Sequence, residues 1–472
     1  MKEYEEYASD VMSDAPSSDV VMPDISEFEA LLDGRKYYEF VTLVATFPAP
    51  DIAERLFSER NEYQNRFFRL LPKELAAEVF VLIPVDVQES IIDSFTDKEL
   101  ASMLEELYID DTVDIIEEMP ANVVKRIIKN SDVESRGLIN QLLHYPKDSA
   151  GTIMTTEYVR FRGNMTVGEA LRHVRRVAID KETIYTCYIT DEARQLRGIV
   201  TAKDLLISPL DTRLCDIMEE NVVFVYTTDD KESVAAKFER YGFLALPVVD
   251  AEGRLVGIVT VDDAIDVIKE ETEEDFAKMA AITPSETPYL KSGAFQIFKT
   301  RIPWLLLLMV SATFSSTILN RFEAALPAVL ILFVPMLMDT GGNSGGQSSV
   351  TLIRGLSLGE VTYSDVLRVL WKEIRVGVYC GVLLGAVAFG KVMLIDRLLM
   401  NNAEVTLLVG AIVAVTLALT VIIAKIIGCT LPLLAGKIGL DPAVMASPFI
   451  TTVVDALSLI VYFFISSSLL NL

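Results

Sequence analysis

Three groups of side chains in this sequence have the type and spacing to handle a cation. The first is Asp455, in TTVVDALSLIVYFF, the only charged residue after Asp441. A carboxylate in the middle of an apolar span costs roughly 2.5–3.5 kcal/mol to insert, so it is expected to face a cavity, a partner or an ion. A protonated Asp bonded to a neighbouring helix is the plainer alternative. Pro448, Thr451 and Thr452, just ahead of it, can free or supply oxygens for a hydrated cation. The second group is Pro335 to Gln347, PMLMDTGGNSGGQ, too polar and glycine-rich for lipid-facing filler. Backbone in hydrocarbon must satisfy its own hydrogen bonds, so Asp339, Asn343, Gln347 and the glycines between them predict a helix interrupted beside water or protein. The amides of Asn343 and Gln347 then line or brace the broken end. The third group is Asp110 and Asp114, four apart on one helical face. Their repulsion costs the helix roughly 0.2–0.5 kcal/mol unless a cation intervenes, and a solvated face is the alternative.

None of this is the chemistry of an enzyme. The chain contains no catalytic triad pattern, no Walker loop and no HExxH. Its cysteines, Cys187, Cys215, Cys380 and Cys429, have neither CxxC spacing nor the density of a disulfide framework, so a structural zinc site is not expected.

The elements that must hold these residues follow from pattern and charge. Of 42 Lys+Arg and 67 Asp+Glu, residues 301–472 hold 10 and 9, which leaves residues 1–300 about 26 charges negative. So acidic a front portion argues against nucleic acid and suits multivalent cations or a solvated surface. The N-terminal MKEYEEYASD leads into no apolar core segment, so no signal peptide is expected and the front is placed in the cytoplasm. Residues 1–25 read as a disordered tail. Residues 26–147 read as an all-α superhelical repeat domain. Pro72, Pro84 and Pro120 keep a twelve-residue register, with Thr96 and Tyr108 in the intervening slots, and each starts a short amphipathic helix.

Across residues 148–270 the pattern changes to alternating strands and helices. GIVTAKDLL at Gly198 recurs 59 residues later as GIVTVDDAI at Gly257, each after an acidic turn. This duplication resembles a tandem pair of CBS motifs, an α/β fold. The resemblance implies a cleft for ATP or another adenine nucleotide, with Asp204 and Asp263 at the ribose. The alternative is that both Asp residues cap the helices they precede.

Residues 271–300 are read as a connecting, plug-like helix that couples the front to residues 301–472. There, five apolar segments predict a five-helix transmembrane domain: 302–320, 321–354, 374–395, 405–424 and 448–470. Basic residues Arg354, Arg368, Lys372 and Arg375 place the loop between the second and third segments in the cytoplasm.

Taken together, the helical repeats, the CBS pair, TGGNSGGQS at Thr340 and SPFITTVVDALSLIVY at Ser447 resemble the MgtE-type magnesium channels over nearly the whole chain. The resemblance implies a multi-pass homodimer in the cell (inner) membrane with a pore on the twofold axis and Asp455 holding hydrated Mg²⁺. It also implies gating by cytosolic Mg²⁺ on acidic faces, with Asp110, Asp114, Asp250, Asp266, Glu271, Glu274 and Asp275 as matching positions. Oxygen-rich sites of this kind also fit Mn²⁺, Co²⁺ or Ni²⁺. Two rivals remain at this point: a membrane-anchored CBS nucleotide sensor and a CBS-regulated anion channel. An anion path calls for basic residues or helix N-termini aimed at the ion, and the charges in the relevant segments are Asp339 and Asp455.

Overall fold

The computed structural model describes residues 22–58, 61–285, 289, 292–323, 327–445 and 447–470, so the expected tail over residues 1–21 lies outside the described residues. The chain divides into two units, Met1–Ile268 and Lys269–Leu472.

The first unit begins with ten short helices: α1 (Ile25–Asp33), α2 (Tyr37–Val44), α3 (Ala49–Phe57), α4 (Gln64–Leu70), α5 (Lys73–Leu82), α6 (Val85–Ser94), α7 (Asp97–Leu104), α8 (Ile109–Glu118), α9 (Ala121–Asn130) and α10 (Val133–Leu142). From α5 onward the starts fall every twelve residues, and their N-caps are Pro72, Pro84, Thr96, Tyr108, Pro120 and Asp132. The caps explain the register. Pro fixes an extended residue at the helix entry and cannot continue a preceding helix. Thr96 instead forms a capping box with Glu99, and Asp132 accepts from the amides of Glu134 and Ser135. Each helix is too short to stand alone and buries one apolar face on its neighbours, building a core through Phe28, Phe40, Phe57, Phe67, Phe80 and Ile91.

The rest of this unit is two copies of one three-stranded motif. β1 (Tyr158–Arg162) pairs parallel with β2 (Thr183–Thr190), which pairs antiparallel with β3 (Leu196–Thr201). Helix α11 (Val167–Val177) crosses between β1 and β2, and α12 (Ala202–Ile207) follows β3. β4 (Val225–Tyr226), α13 (Lys231–Tyr241), β5 (Ala245–Val249) and β6 (Leu255–Thr260) repeat the pattern. The duplication extends to register, since Tyr188 opposite Ile199 recurs as Pro247 opposite Ile258, each 59 residues on. Helix α14 (Val261–Met279) follows β6 and contains the boundary between units.

The second unit comprises the end of α14, then α15 (Ala294–Glu323), α16 (Ala328–Ile331), α17 (Val334–Ser357), α18 (Val366–Lys391) with a π-helical extension at Val392–Leu399, α19 (Leu407–Lys437) and α20 (Ser447–Leu470). Two expectations change here. Among the described residues, four helical segments are long and apolar enough to cross a membrane: Ala294–Arg321, Val366–Leu399, Leu407–Lys437 and Pro442–Leu470. Helix α17 has 24 residues, the length without the composition. The glycine-rich stretch is also not interrupted: α17 runs helical through every residue of it, and the break lies earlier, between α16 and α17. A continuous helix satisfies its own backbone, and its glycines meet other helices instead of water. An added Cβ at Gly341 would lie 2.7 Å from Thr420, at Gly342 2.7 Å from Thr451, and at Gly345 2.9 Å from Ile450.

Candidate metal sites

Helix α17 is two-faced. Gly341, Gly342, Ser344, Gly345, Gly346, Ser348 and Ser349 are buried. Asp339, Asn343 and Gln347 are exposed and recur every four residues, a polar stripe along one side of the helix. Asn343 and Gln347 therefore stand on a helix face and brace no broken end. Asp455 on α20 is half-buried and belongs to the same neighbourhood, since its charge is felt against that of Asp339, and its Oδ1 is buried without a hydrogen-bond partner. Thr451, one turn earlier on α20, touches α17 at Gly342, so the glycines bring the α20 hydroxyl and carboxylate alongside the α17 stripe. A buried carboxylate oxygen without a donor is a strong acceptor waiting for a cation or for water held by one.

The second site is in the first unit. Asp110 on α8 is 8% exposed, and its Oδ1 has no partner. Burial, then the charges of Asp111, Asp263, Glu182 and Glu157, raise its pKa well above the usual carboxylate range. Burial likewise comes first for the others: Asp111 and Asp263 are pushed up to about 6, and Asp114 and Glu182 to about 7. Asp114 keeps solvent access on one side, yet the carboxylates of Asp263, Asp111, Glu117 and Glu118 crowd it. So the repeat helix, both CBS motifs and the start of α14 turn negative groups toward one another. The sequence reading named Asp110, Asp114, Asp263 and Asp266 but missed Asp111, Glu157, Glu182 and Asp262, which lie up to 153 positions apart and carry no local signal.

The remaining candidates separate. Asp250 does not join the cluster: Arg254 bonds it at 2.6 Å in the β5–β6 turn, and Asp191 takes the same role with Arg197 in the β2–β3 turn. Burial raises the Asp250 pKa, but the hydrogen bonds and charge of Arg254 offset that and hold it below the usual range. Asp250 is a turn residue. Asp204 and Asp263 both close capping interactions through Oδ2, with Thr201 and Thr260. Asp266 adds its charge to Asp263. In the second unit, Lys278 bonds Glu274 at 2.7 Å and Asp441 at 2.6 Å, while Ser357 donates to Asp275. Glu271 is half-buried on the same stretch of α14. Among the described residues, no three His, Cys, Asp or Glu side chains converge as a direct ligand set.

Comparison with known proteins decides what this arrangement belongs to. Residues 334–465 match the MgtE model, "Divalent cation transporter", residues 47–148 the MgtE intracellular N domain, and 150–210 and 214–270 the CBS domain. The magnesium transporter MgtE of Thermus thermophilus is 37% identical over 418 residues, 87% of this chain and 91% of that protein. The chain belongs to the MgtE family. The Bacillus subtilis MgtE is 31% identical over 444 residues, 93% of this chain and 96% of its own. The crystal structure titled the cytosolic domain of the Mg²⁺ channel MgtE in complex with ATP is 39% identical, with a TM-score of 0.48 and coverage of 51% of this chain and 97% of that one. As a member of the MgtE family, the chain is a membrane transport protein and not an enzyme, with its N-terminal domains on the cytoplasmic side.

Proposed function

We propose that the chain carries Mg²⁺ across the membrane through a path lined by α17 and α20, and that cytosolic Mg²⁺ on the acidic cluster closes it. The polar stripe Asp339, Asn343 and Gln347 beside Asp455 carries this reading. A stripe exposed on one protomer is costly in lipid, and a second copy of the chain covering it in a homodimer turns it into a water-filled path. Few carboxylates, with amide and hydroxyl oxygens at hand, suit an ion that keeps its water and is read through it. The absence of a converging direct ligand set among the described residues agrees with an outer-sphere site. The names of the two similar transporters support Mg²⁺ over Mn²⁺, Co²⁺ or Ni²⁺.

The acidic cluster supplies the gate. Carboxylates that repel one another favour separation of their elements, and a divalent cation between them reverses the sign and favours the compact state. Glu271, Glu274, Asp275 and Asp266 extend the negative face along α14, which leads toward the membrane helices. An adenine nucleotide in the CBS pair is compatible with the capping role of Asp204, because the cap uses Oδ2 and leaves Oδ1 to address ribose.

Flux into liposomes tests the reading, comparing Mg²⁺ with Ca²⁺ and chloride. The expected result is Mg²⁺ entry that the folded Asp455→Asn variant loses. Wild-type entry in that variant, or chloride entry, overturns it.

A further inference from the structure

A second set of intramembrane polar groups lies away from the α17 stripe. Lys425, in the middle of the apolar helix α19, is 5% exposed. Its ammonium donates to Ser348 Oγ at 3.2 Å, and the Ser348 hydroxyl donates to Glu373 Oε2 on α18 at 2.6 Å. The directions are chemically consistent: one hydroxyl accepts from the cation and gives its proton to the anion. The three residues come from three helices, and Ser348 is on the buried face of α17, opposite the stripe.

The surfaces this network joins are smooth. An added Cβ at Gly428 on α19 would overlap the Gly345 carbonyl oxygen on α17. On α18, added Cβ atoms at Gly377, Gly381 and Gly385 would lie 3.1, 2.6 and 2.8 Å from the backbone at Ile422, Ala418 and Ala414 of α19. Glycine–alanine faces let helices approach closely, but they offer few interlocking knobs, so neighbouring registers along the axis differ little in packing. Buried ionic groups are costly, and their best-attested use is to select one register among such alternatives. Lys425 lies three residues from Gly428 and Ser348 three from Gly345, one turn from the closest crossing.

We propose that Lys425, Ser348 and Glu373 form a latch that fixes the height of α17 against α18 and α19, and so sets the position of Asp339 and Asn343 relative to Asp455. All three are positioning residues. Through Gly341, α17 touches Thr420 of α19 and Val454 of α20, next to Asp455, so a shift of α17 changes the spacing of oxygens across the ion path. The latch rests on the reading of α17 and α20 as the path, and it adds residues outside that path which determine what passes.

The test uses the full-length protein in liposomes and three variants: Lys425→Met, Ser348→Ala, and the exchanged pair Lys425→Glu with Glu373→Lys. Two quantities are read, the half-saturating Mg²⁺ concentration with the Mg²⁺-to-Co²⁺ uptake ratio, and the distance distribution between spin labels at Thr351→Cys on α17 and Tyr379→Cys on α18. Ser348→Ala removes one oxygen and keeps both charges, so it folds where Lys425→Met does not. The latch predicts a broadened distance and about a tenfold rise in half-saturating Mg²⁺ with a lower ratio for Ser348→Ala, the scale of lost supporting contacts at metal sites. It also predicts a narrower distance and a recovered ratio in the exchanged pair. An unchanged distance and ratio in Ser348→Ala overturn the latch. A wild-type protein that passes no Mg²⁺ overturns the path reading instead, and the spin-label distances still decide the latch.

Discussion

The two units treat buried charge in opposite ways. In the first, Asp110, Asp111, Asp114, Asp263 and Glu182 crowd one another, and burial and mutual repulsion raise all five pKa values. In the second, Glu373 is answered by Lys425 through Ser348, and Glu274 and Asp441 by Lys278. A charge paired inside the protein has one favoured arrangement, whereas a cluster left to repel itself is stable or unstable according to what the solution supplies. The first unit is built to respond and the second to hold, with the buried Asp455 Oδ1 as the second unit's exception.

The largest break in this contrast comes from removing the repulsion. Asp110→Asn with Asp114→Asn keeps shape and deletes two charges, so closure by millimolar Mg²⁺ should fail. The predicted result is uptake that persists at Mg²⁺ levels which silence the wild type, about a tenfold shift or more on the scale of allosteric couplings. Liposome flux against internal Mg²⁺ measures it, and unchanged closure counts against the cluster as sensor.

A smaller effect follows from pH. The folded pKa values of the cluster lie above the unfolded ones, so the folded state binds protons better and its stability is complete below about pH 4. That contribution is lost as pH rises through the folded values of about 6 to 7. In chelator, the melting temperature of the first unit should therefore fall by roughly 5 °C between pH 5.5 and pH 8. Mg²⁺ at pH 8 should restore it. A transition that rises with pH in chelator contradicts the assignment.

The smallest effect belongs to the paired region. Burial opposes the charge on Lys278, yet its bonds to Asp441 and Glu274 keep its pKa above the ordinary value. Lys278→Met frees both carboxylates near the start of α20 and the end of α14. About a threefold shift in the Mg²⁺ needed for closure is expected, since partly exposed ion pairs contribute little. A shift as large as that of the Asp110/Asp114 pair erases the distinction between the units.

What the sequence disclosed, and what it hid, follows the same division. The repeat helices were legible because each carries its own start signal, Pro72 through Pro120 at a fixed interval, and the CBS pair because its copies repeat at 59 residues. The α17 stripe was misread. Glycines suggested a break, but in a membrane helix they are packing surfaces, and the four-residue spacing of Asp339, Asn343 and Gln347 was the signal that would have shown it. Lys425 escaped because the fourth apolar segment was ended at Ala424, where charge resumes, while the helix continues to Lys437. Glu182 and Glu157 could not be read at all, since only the folded sheets bring them to Asp110.

The most direct measurement asks whether the α17 stripe faces the ion. Single cysteines at Asn343→Cys and Ser344→Cys, in a chain with Cys187, Cys215, Cys380 and Cys429 replaced by serine, can be probed in liposomes with a water-soluble thiol reagent. The account predicts that position 343 reacts and that Mg²⁺ slows the reaction, while position 344, 7% exposed against the neighbouring helices, stays inert. Equal reactivity at the two positions, or reaction at 343 that Mg²⁺ leaves unchanged, contradicts the path along α17.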